Sequence, residues 1–170
     1  MVGPEGAGLM AINDFAVARA VHVLAVVWWI GGVAFVTATL LPACRSLPNP
    51  TERIAAFQHL EHRFATQARW ATLLAGASGF WLVHRFNLWG RFADLANGWW
   101  LAAMVAVWLV FSVMLFLLEP FVLPRRFAEA VARAPADTFR HIERAHRILL
   151  LASLITVAGA VAGSHGGWAF

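Results

Sequence analysis

Four apolar stretches, each long enough to cross a lipid bilayer, constrain this chain more than any other feature. They run from about Phe15 to Leu41, Phe64 to Phe86, Gly98 to Leu118 and Ile148 to His165. A membrane-spanning helix needs about 20 predominantly apolar residues, and none of these stretches alternates like a barrel strand. The sequence therefore predicts an all-α integral membrane protein, with four antiparallel transmembrane helices in one domain over residues 1–170.

The composition supports a lipid environment. Hydrophobic residues make up 61% of the 170 residues and charged residues 13%, whereas a soluble domain is about 45–50% apolar and about 25% charged. A chain of this length cannot bury so much apolar surface away from water. The lone cysteine, Cys44, excludes an internal disulfide or a CxxC site. The expected partner is the lipid bilayer, and no nucleic acid is expected.

Prolines mark the expected connections between the helices. Pro42, Pro48 and Pro50 are predicted to end the first helix and open a loop. The segment Thr51 to Arg63 reads as an amphipathic extension leading into the second helix, with Thr51 as its N-cap.

A similar connection follows the third apolar stretch. Pro120 and Pro124 are predicted to end that helix. Phe127 to Arg147 then forms a second charged helical segment, with Asp137 as a helix N-cap.

Arginine placement predicts the orientation. All thirteen basic residues are Arg, and only Arg19, Arg85 and Arg91 fall on one side of the predicted bundle. The other ten share the opposite side: Arg45, Arg53, Arg63, Arg69, Arg125, Arg126, Arg133, Arg140, Arg144 and Arg147. Cytoplasmic loops carry the excess of basic residues. We therefore expect the ten-arginine side in the cytoplasm, both termini outside, and a multi-pass protein of a bacterial inner membrane.

Histidines are the candidate functional residues, because an ionisable group inside a membrane span is costly. His22, His84 and His165 all fall near the outer face if the helices alternate in direction. Two imidazoles on facing helices are a common axial pair for a b-type haem. The preferred pair is His22 with His165, because the first and last helices are neighbours in a closed bundle, and His84 is the substitute.

Other residues near these histidines suit a haem. Arg19 lies three residues before His22, on the same helical face, where it could pair with a propionate. Small residues would let a macrocycle approach the backbone, and the candidates are Gly31, Gly32, Gly76, Gly79, Gly163, Gly166 and Gly167.

The cytoplasmic side offers a second candidate region. His62 and His146 open the second and fourth apolar helices. They could serve a second haem, a quinone-binding pocket or a proton-transfer group. A lone charge within a span is expensive, so Arg69 and Glu119 are predicted to pair.

Parts of the sequence resemble the CopD-like membrane proteins, including copper-resistance protein D and the HemJ-type protoporphyrinogen oxidases. The resemblance rests on ARAVHVLAVVWWIGGVAFVTATLLPA, HRFATQARWATLLAGASGFWLV and RAHRILLLASLITVAGAVAGSHG. It implies a four-helix bundle with a b-type haem bound through His22 and a redox role with quinone. HemJ-type enzymes also use a lysine, and this chain has no lysine, a departure that counts against porphyrinogen oxidation.

Three functions follow from these features. The first is a b-type cytochrome-like electron-transfer protein that links quinone to a periplasmic redox protein, as a quinone-linked oxidoreductase or a simple carrier. The second is a copper transport or tolerance protein with His22, His84 and His165 as nitrogen ligands. The third is a non-catalytic membrane subunit, whether in a homo-oligomer or a larger complex.

Overall fold

The computed structural model describes residues 14–164, with backbone alone at 95–97, 122–125 and 164. In this part of the chain every regular element is helical, which confirms the all-α prediction. The α-helices are α1 Asp14–Phe35, α2 Leu41–Arg45, α3 Pro50–Arg85, α4 Leu95–Val113, α5 Leu123–Arg133 and α6 Pro135–Ser164. Val36–Leu40 and Met114–Val122 are π-helical, and Leu88–Phe92 is a 3₁₀ helix.

Three helical stretches among the described residues are long and apolar enough to span a membrane. They are Asp14–Arg45, Gly98–Phe121 and Pro135–Gly163. The chain therefore has the character of a multi-pass membrane protein. The predicted second span lies within α3, whose 36 residues join it to the charged Thr51–Arg63 extension as one continuous helix.

The long helices pack side by side, and successive ones run antiparallel. Along α1 and α3, His22 contacts Ala75, whereas Gly32 lies against Phe64. Residues further along α1 therefore meet earlier residues of α3. The same reversal relates α3 to α4, where Trp108 contacts Thr72 and Leu115 contacts Arg69.

Three prolines do not end their helices, contrary to the prediction, and one of them, Pro124, is the second residue of α5. Pro42 lies at the start of α2, directly after one π-helical segment, and Pro120 lies inside the other. Proline removes a backbone donor and crowds the preceding turn, and a wider π turn is a common accommodation at such a kink. The first helical rod, which begins with α1, therefore continues to Arg45. The rod that begins with α4 continues through α5 to Arg133.

Two predicted helix caps also shift. Helix α3 begins at Pro50, and the side chain of Asn49 accepts a hydrogen bond of 2.9 Å from the backbone N–H of Thr51. Asn49 is therefore the N-cap, and Thr51 is already inside the helix. Helix α6 begins at Pro135, so Asp137 lies in its first turn, where it pairs with Arg140.

Three hydrophobic clusters fill the interior. The central cluster joins α1, α3 and α4 through Trp29, Ala71, Ala75 and Phe111. A second cluster, at the ten-arginine end, joins Leu41 and Cys44 to Ile54, Phe57 and Phe139. A third lies at the opposite end around Val83, Trp100 and Leu101.

Candidate functional site

His22 lies at the contact between α1 and α3. Its Nδ1 atom is 3.0 Å from the carbonyl oxygen of Ala75 and 3.1 Å from the hydroxyl oxygen of Ser78. The imidazole also lies over Gly79, where an added Cβ would be 3.0 Å from the ring. Three small residues on α3 therefore create the space that this imidazole fills.

The bond to Ala75 assigns the tautomer of His22. A carbonyl oxygen can only accept a hydrogen bond, so Nδ1 carries the proton and donates it. In a neutral imidazole the lone pair then resides on Nε2. A backbone carbonyl holding one ring nitrogen is the arrangement that orients histidine ligands in metal and haem proteins. His22 is therefore chemically suited to bind a metal through Nε2.

His84 is not brought to His22. It follows Ala75 by nine residues, which at about 100° per residue places it on the opposite side of α3. There it is exposed and stacks on Phe80, with ring centroids 6.4 Å apart. His165 lies outside the described residues, so its pairing with His22 stays a prediction.

The glycines predicted to admit a macrocycle mostly accommodate the protein's own rings. An added Cβ at Gly32 would meet Phe64, at Gly76 Trp108, and at Gly163 Trp100. Gly79 accommodates His22 itself. At Gly31 an added Cβ would have open space, and Gly166 and Gly167 lie outside the described residues. Among the glycines predicted to admit a macrocycle and described by the structure, packing against the protein's own rings explains all but Gly31.

A cleft of about 300 Å³ opens where α1 begins and α3 ends. It is lined by Asp14, Phe15, Trp81, Arg85 and Phe86. Arg19 adjoins the cleft, because its guanidinium lies 5.9 Å from the centre of the Phe15 ring. The cleft thus combines aromatic walls with two nearby cations and the carboxylate of Asp14, and it lies at the same end of the bundle as His22.

Four histidines lie at the ten-arginine end of the bundle, and none of the contacts described below joins one of them to another. His62 is exposed. His146 is half-buried, donates from Nδ1 to the carbonyl oxygen of Ile142 at 2.9 Å, and packs edge-on against Phe57. His59 is exposed, and His141 is exposed with Nδ1 bonded to the backbone of Asp137. Of these four, His146 is the one held against a neighbouring helix.

Arg69 and Glu119 form the predicted ion pair, with a distance of 2.9 Å between Nη2 and Oε1. Arg69 also donates from Nε to the carbonyl oxygen of Leu115 at 3.2 Å. Glu61 lies eight residues before Arg69 on α3 and interacts electrostatically with both Arg69 and Glu119. Burial and, to a smaller extent, repulsion from Glu119 raise the pKa of Glu61 to about 7, although the charge of Arg69 opposes the rise.

Two of the carboxylates were not predicted from the sequence. Glu61 precedes the second apolar stretch, which begins at Phe64, so the cost of a charge within a span gives no signal for it. Glu143 falls within the charged segment Phe127 to Arg147, and it is nevertheless only 4% exposed. Its spacing to Arg147 is the i, i+4 spacing of a helical ion pair, and this spacing could have identified it.

No group of three or more His, Cys, Asp or Glu side chains that could hold a metal ion occurs within the described residues. Within this part of the chain His22, His141 and His146 each hold Nδ1 against a backbone carbonyl, so each could offer Nε2 as a single ligand. The copper hypothesis gains no support from the residues whose placement is described. No family model, no curated protein and no solved structure matches the chain.

Proposed function

We propose that this protein is a membrane b-type cytochrome-like carrier in which His22 is an axial haem ligand. The observation that carries the proposal is the hydrogen bond from Nδ1 of His22 to Ala75 at 3.0 Å. It holds the imidazole in one orientation and leaves Nε2 as the basic nitrogen. A haem bound there would supply one-electron redox chemistry.

The surrounding residues would hold the group rather than react. Arg19 and Arg85 lie at the aromatic cleft near the start of α1. Guanidinium groups suit carboxylates such as haem propionates. His165 is the proposed second ligand, because the position of His84 on the far side of α3 disfavours it. His62 and His146, at the other end, are proposed to serve a quinone or a second haem.

The proposed topology has four membrane spans. Three are the apolar stretches described above, and the fourth is the second half of α3, which is not among the helices apolar enough to span a membrane by composition alone. The half of α3 from Phe64 onward packs along α1 through Ala71 and Ala75, and this packing supports membrane insertion beside α1. The ten-arginine end is proposed to face the cytoplasm, with both termini outside, in a bacterial inner membrane. Electrons would pass between membrane quinone and a redox protein at the outer face.

Absorption spectroscopy of the purified protein tests the haem directly. A Soret band and a pyridine haemochrome of the b type are expected in the native protein. The His22→Ala protein should lose the haem or convert it to a high-spin form. His141→Ala is the matched control, because His141 is exposed and bonds within its own helix. A native protein without haem, or an unchanged low-spin spectrum in His22→Ala, would refute the proposal.

A second function is favoured by the same contact. His22 makes two hydrogen-bond contacts to α3 and fills the space at Gly79, which is what a purely structural residue in a non-catalytic membrane subunit would do. That function predicts a protein without haem in which His22→Ala lowers thermal stability and His141→Ala does not. Stoichiometric haem lost on His22→Ala would contradict it.

A further inference from the structure

A buried carboxylate joins two arginines where two apolar helices end. Glu143 Oε2 lies 3.5 Å from Arg45 Nη2, and its Oε1 lies 3.8 Å from Arg147 Nη2. Arg45 ends the first helical rod, and Arg147 directly precedes the apolar part of α6. The shared carboxylate therefore holds both guanidinium groups at the same end of the bundle.

These arginines keep most of their hydrogen-bonding capacity. The side chains of Arg45 and Arg147 are 57% and 60% exposed, whereas that of Glu143 is 5% exposed. Each guanidinium has five N–H donors, and each places one nitrogen near Glu143. Arg144 is also exposed, with no ion pair among the described residues, and it lies on the same side of α6 as Arg147. Two cations thus pair with one anion, and a third cation lies on the same side of α6 as Arg147.

An apolar strip continues from this cluster along α6. Ile148, Leu151 and Ile155 are exposed, and they follow Arg144 at the i+4, i+7 and i+11 positions of one helical face. A lipid molecule is the ligand whose shape combines an anionic head with an apolar tail in this order. Guanidinium groups match a phosphate well, because they can donate two parallel hydrogen bonds.

We propose that Arg45, Arg144 and Arg147 bind the phosphate of an anionic phospholipid, whose acyl chain lies along Ile148, Leu151 and Ile155. Glu143 is the positioning residue, since it holds two of the arginines without contacting the phosphate. A headgroup with a net negative charge is favoured over a zwitterionic one, because the cluster has two more positive than negative charges and would repel a headgroup ammonium. This site is independent of the haem.

Native mass spectrometry of the full-length protein can measure the binding. Phosphatidylglycerol and phosphatidylcholine with identical acyl chains are added to the detergent-purified protein, and inorganic phosphate is added in a separate arm. Arg144→Gln is the test variant, because Arg144 supports no described ion pair and its loss should leave the fold intact. Arg63→Gln is the matched control, since Arg63 is also exposed, on α3, and belongs to the same arginine-rich side.

Phosphatidylglycerol should bind the native protein more tightly than phosphatidylcholine does. Arg144→Gln should weaken phosphatidylglycerol binding about fivefold, the contribution typical of one basic residue near an anionic membrane surface, and Arg63→Gln should leave it unchanged. Equal binding of the two lipids, or equal effects of the two variants, would overturn the site. Inorganic phosphate displacing the lipid at equal concentration would show a simple anion site instead and would also overturn it.

Discussion

Arg69 donates from Nε to the carbonyl oxygen of Leu115, across a distance of 3.2 Å. Leu115 lies in a π-helical segment, where a carbonyl accepts from the residue five positions later. That residue is Pro120, which has no backbone N–H. A side chain from the neighbouring helix therefore satisfies the carbonyl that proline leaves free, and the other arm of the same guanidinium pairs with Glu119.

Replacing Arg69 should therefore destabilise the bundle. Arg69→Met leaves a carboxylate and a carbonyl without their donor, and we expect a loss of about 1–3 kcal/mol, as for hydrogen bonds to charged groups that are partly buried. Thermal unfolding in detergent, followed by circular dichroism, measures the change. The control Arg63→Met removes an exposed arginine from the same helix and should cost much less.

A double variant separates the contribution of the Arg69–Glu119 ion pair to stability from that of the hydrogen bond between Arg69 and the Leu115 carbonyl. Arg69→Met with Glu119→Met removes both charges, so it should be more stable than Arg69→Met alone. A double variant that is no more stable than Arg69→Met would show that the Leu115 carbonyl, not Glu119, is what Arg69 supports.

The glycines offer a second prediction with a matched pair. An added Cβ at Gly76 would come within 2.6 Å of the Trp108 ring, whereas one at Gly31 would have no neighbour within 4 Å. Gly76→Ala should therefore lower the free energy of unfolding by about 1–3 kcal/mol through overpacking. Gly31→Ala should be neutral or stabilising by up to about 1 kcal/mol, because alanine favours the helix. Equal effects in a thermal unfolding assay would contradict this assignment of the two glycines.

Apolar periodicity and charge placement were enough to predict the helices and the Arg69–Glu119 pair. Both follow from the cost of exposing polar groups or isolated charges to lipid. The prolines misled the prediction of helix ends, because the sequence does not show that a π turn will absorb Pro42 or Pro120. That choice depends on packing partners such as Arg69, which lie far away in sequence.

The histidine site was only partly predictable for a similar reason. The depth of His22 follows from counting residues along its helix, but its partners Ala75 and Ser78 carry no chemical signature of their own. Small residues on α3 could have accepted a macrocycle or a ring from the protein itself. The relative rotation of the helices decides whether a macrocycle or a side chain of the protein occupies such a space. At Gly79 the space is occupied by the imidazole of His22.

The cap of α3 supplies a third prediction. Asn49 Oδ1 accepts a hydrogen bond from the N–H of Thr51 at 2.9 Å. Asn49→Ala should cost about 1 kcal/mol of stability, the usual value for loss of an N-cap. Thr51→Ala should cost less than half as much, because the threonine contributes its backbone and not its side chain to this bond. A larger loss in Thr51→Ala would restore Thr51 as the capping residue.

Glu61 should make the stability of the protein depend on pH near neutrality. Burial, with the charge of Glu119, raises its pKa from an ordinary value of 4.5 to about 7, although Arg69 opposes the shift. A raised carboxyl pKa means that the folded state favours the protonated form, so this contribution is fully present below about pH 4.5 and is lost as the pH rises through about 7.

Glu61→Gln mimics the protonated side chain at every pH. The variant should therefore be as stable as the native protein at pH 5 and more stable than it at pH 8, and the melting temperature in detergent measures the difference. Infrared difference spectroscopy should also show a protonated carboxyl band that titrates near pH 7 in the native protein and is missing in Glu61→Gln. If the two proteins keep the same difference in melting temperature from pH 5 to pH 8, Glu61 is not the titrating group, because a carboxyl that ionises in this range must change their relative stability.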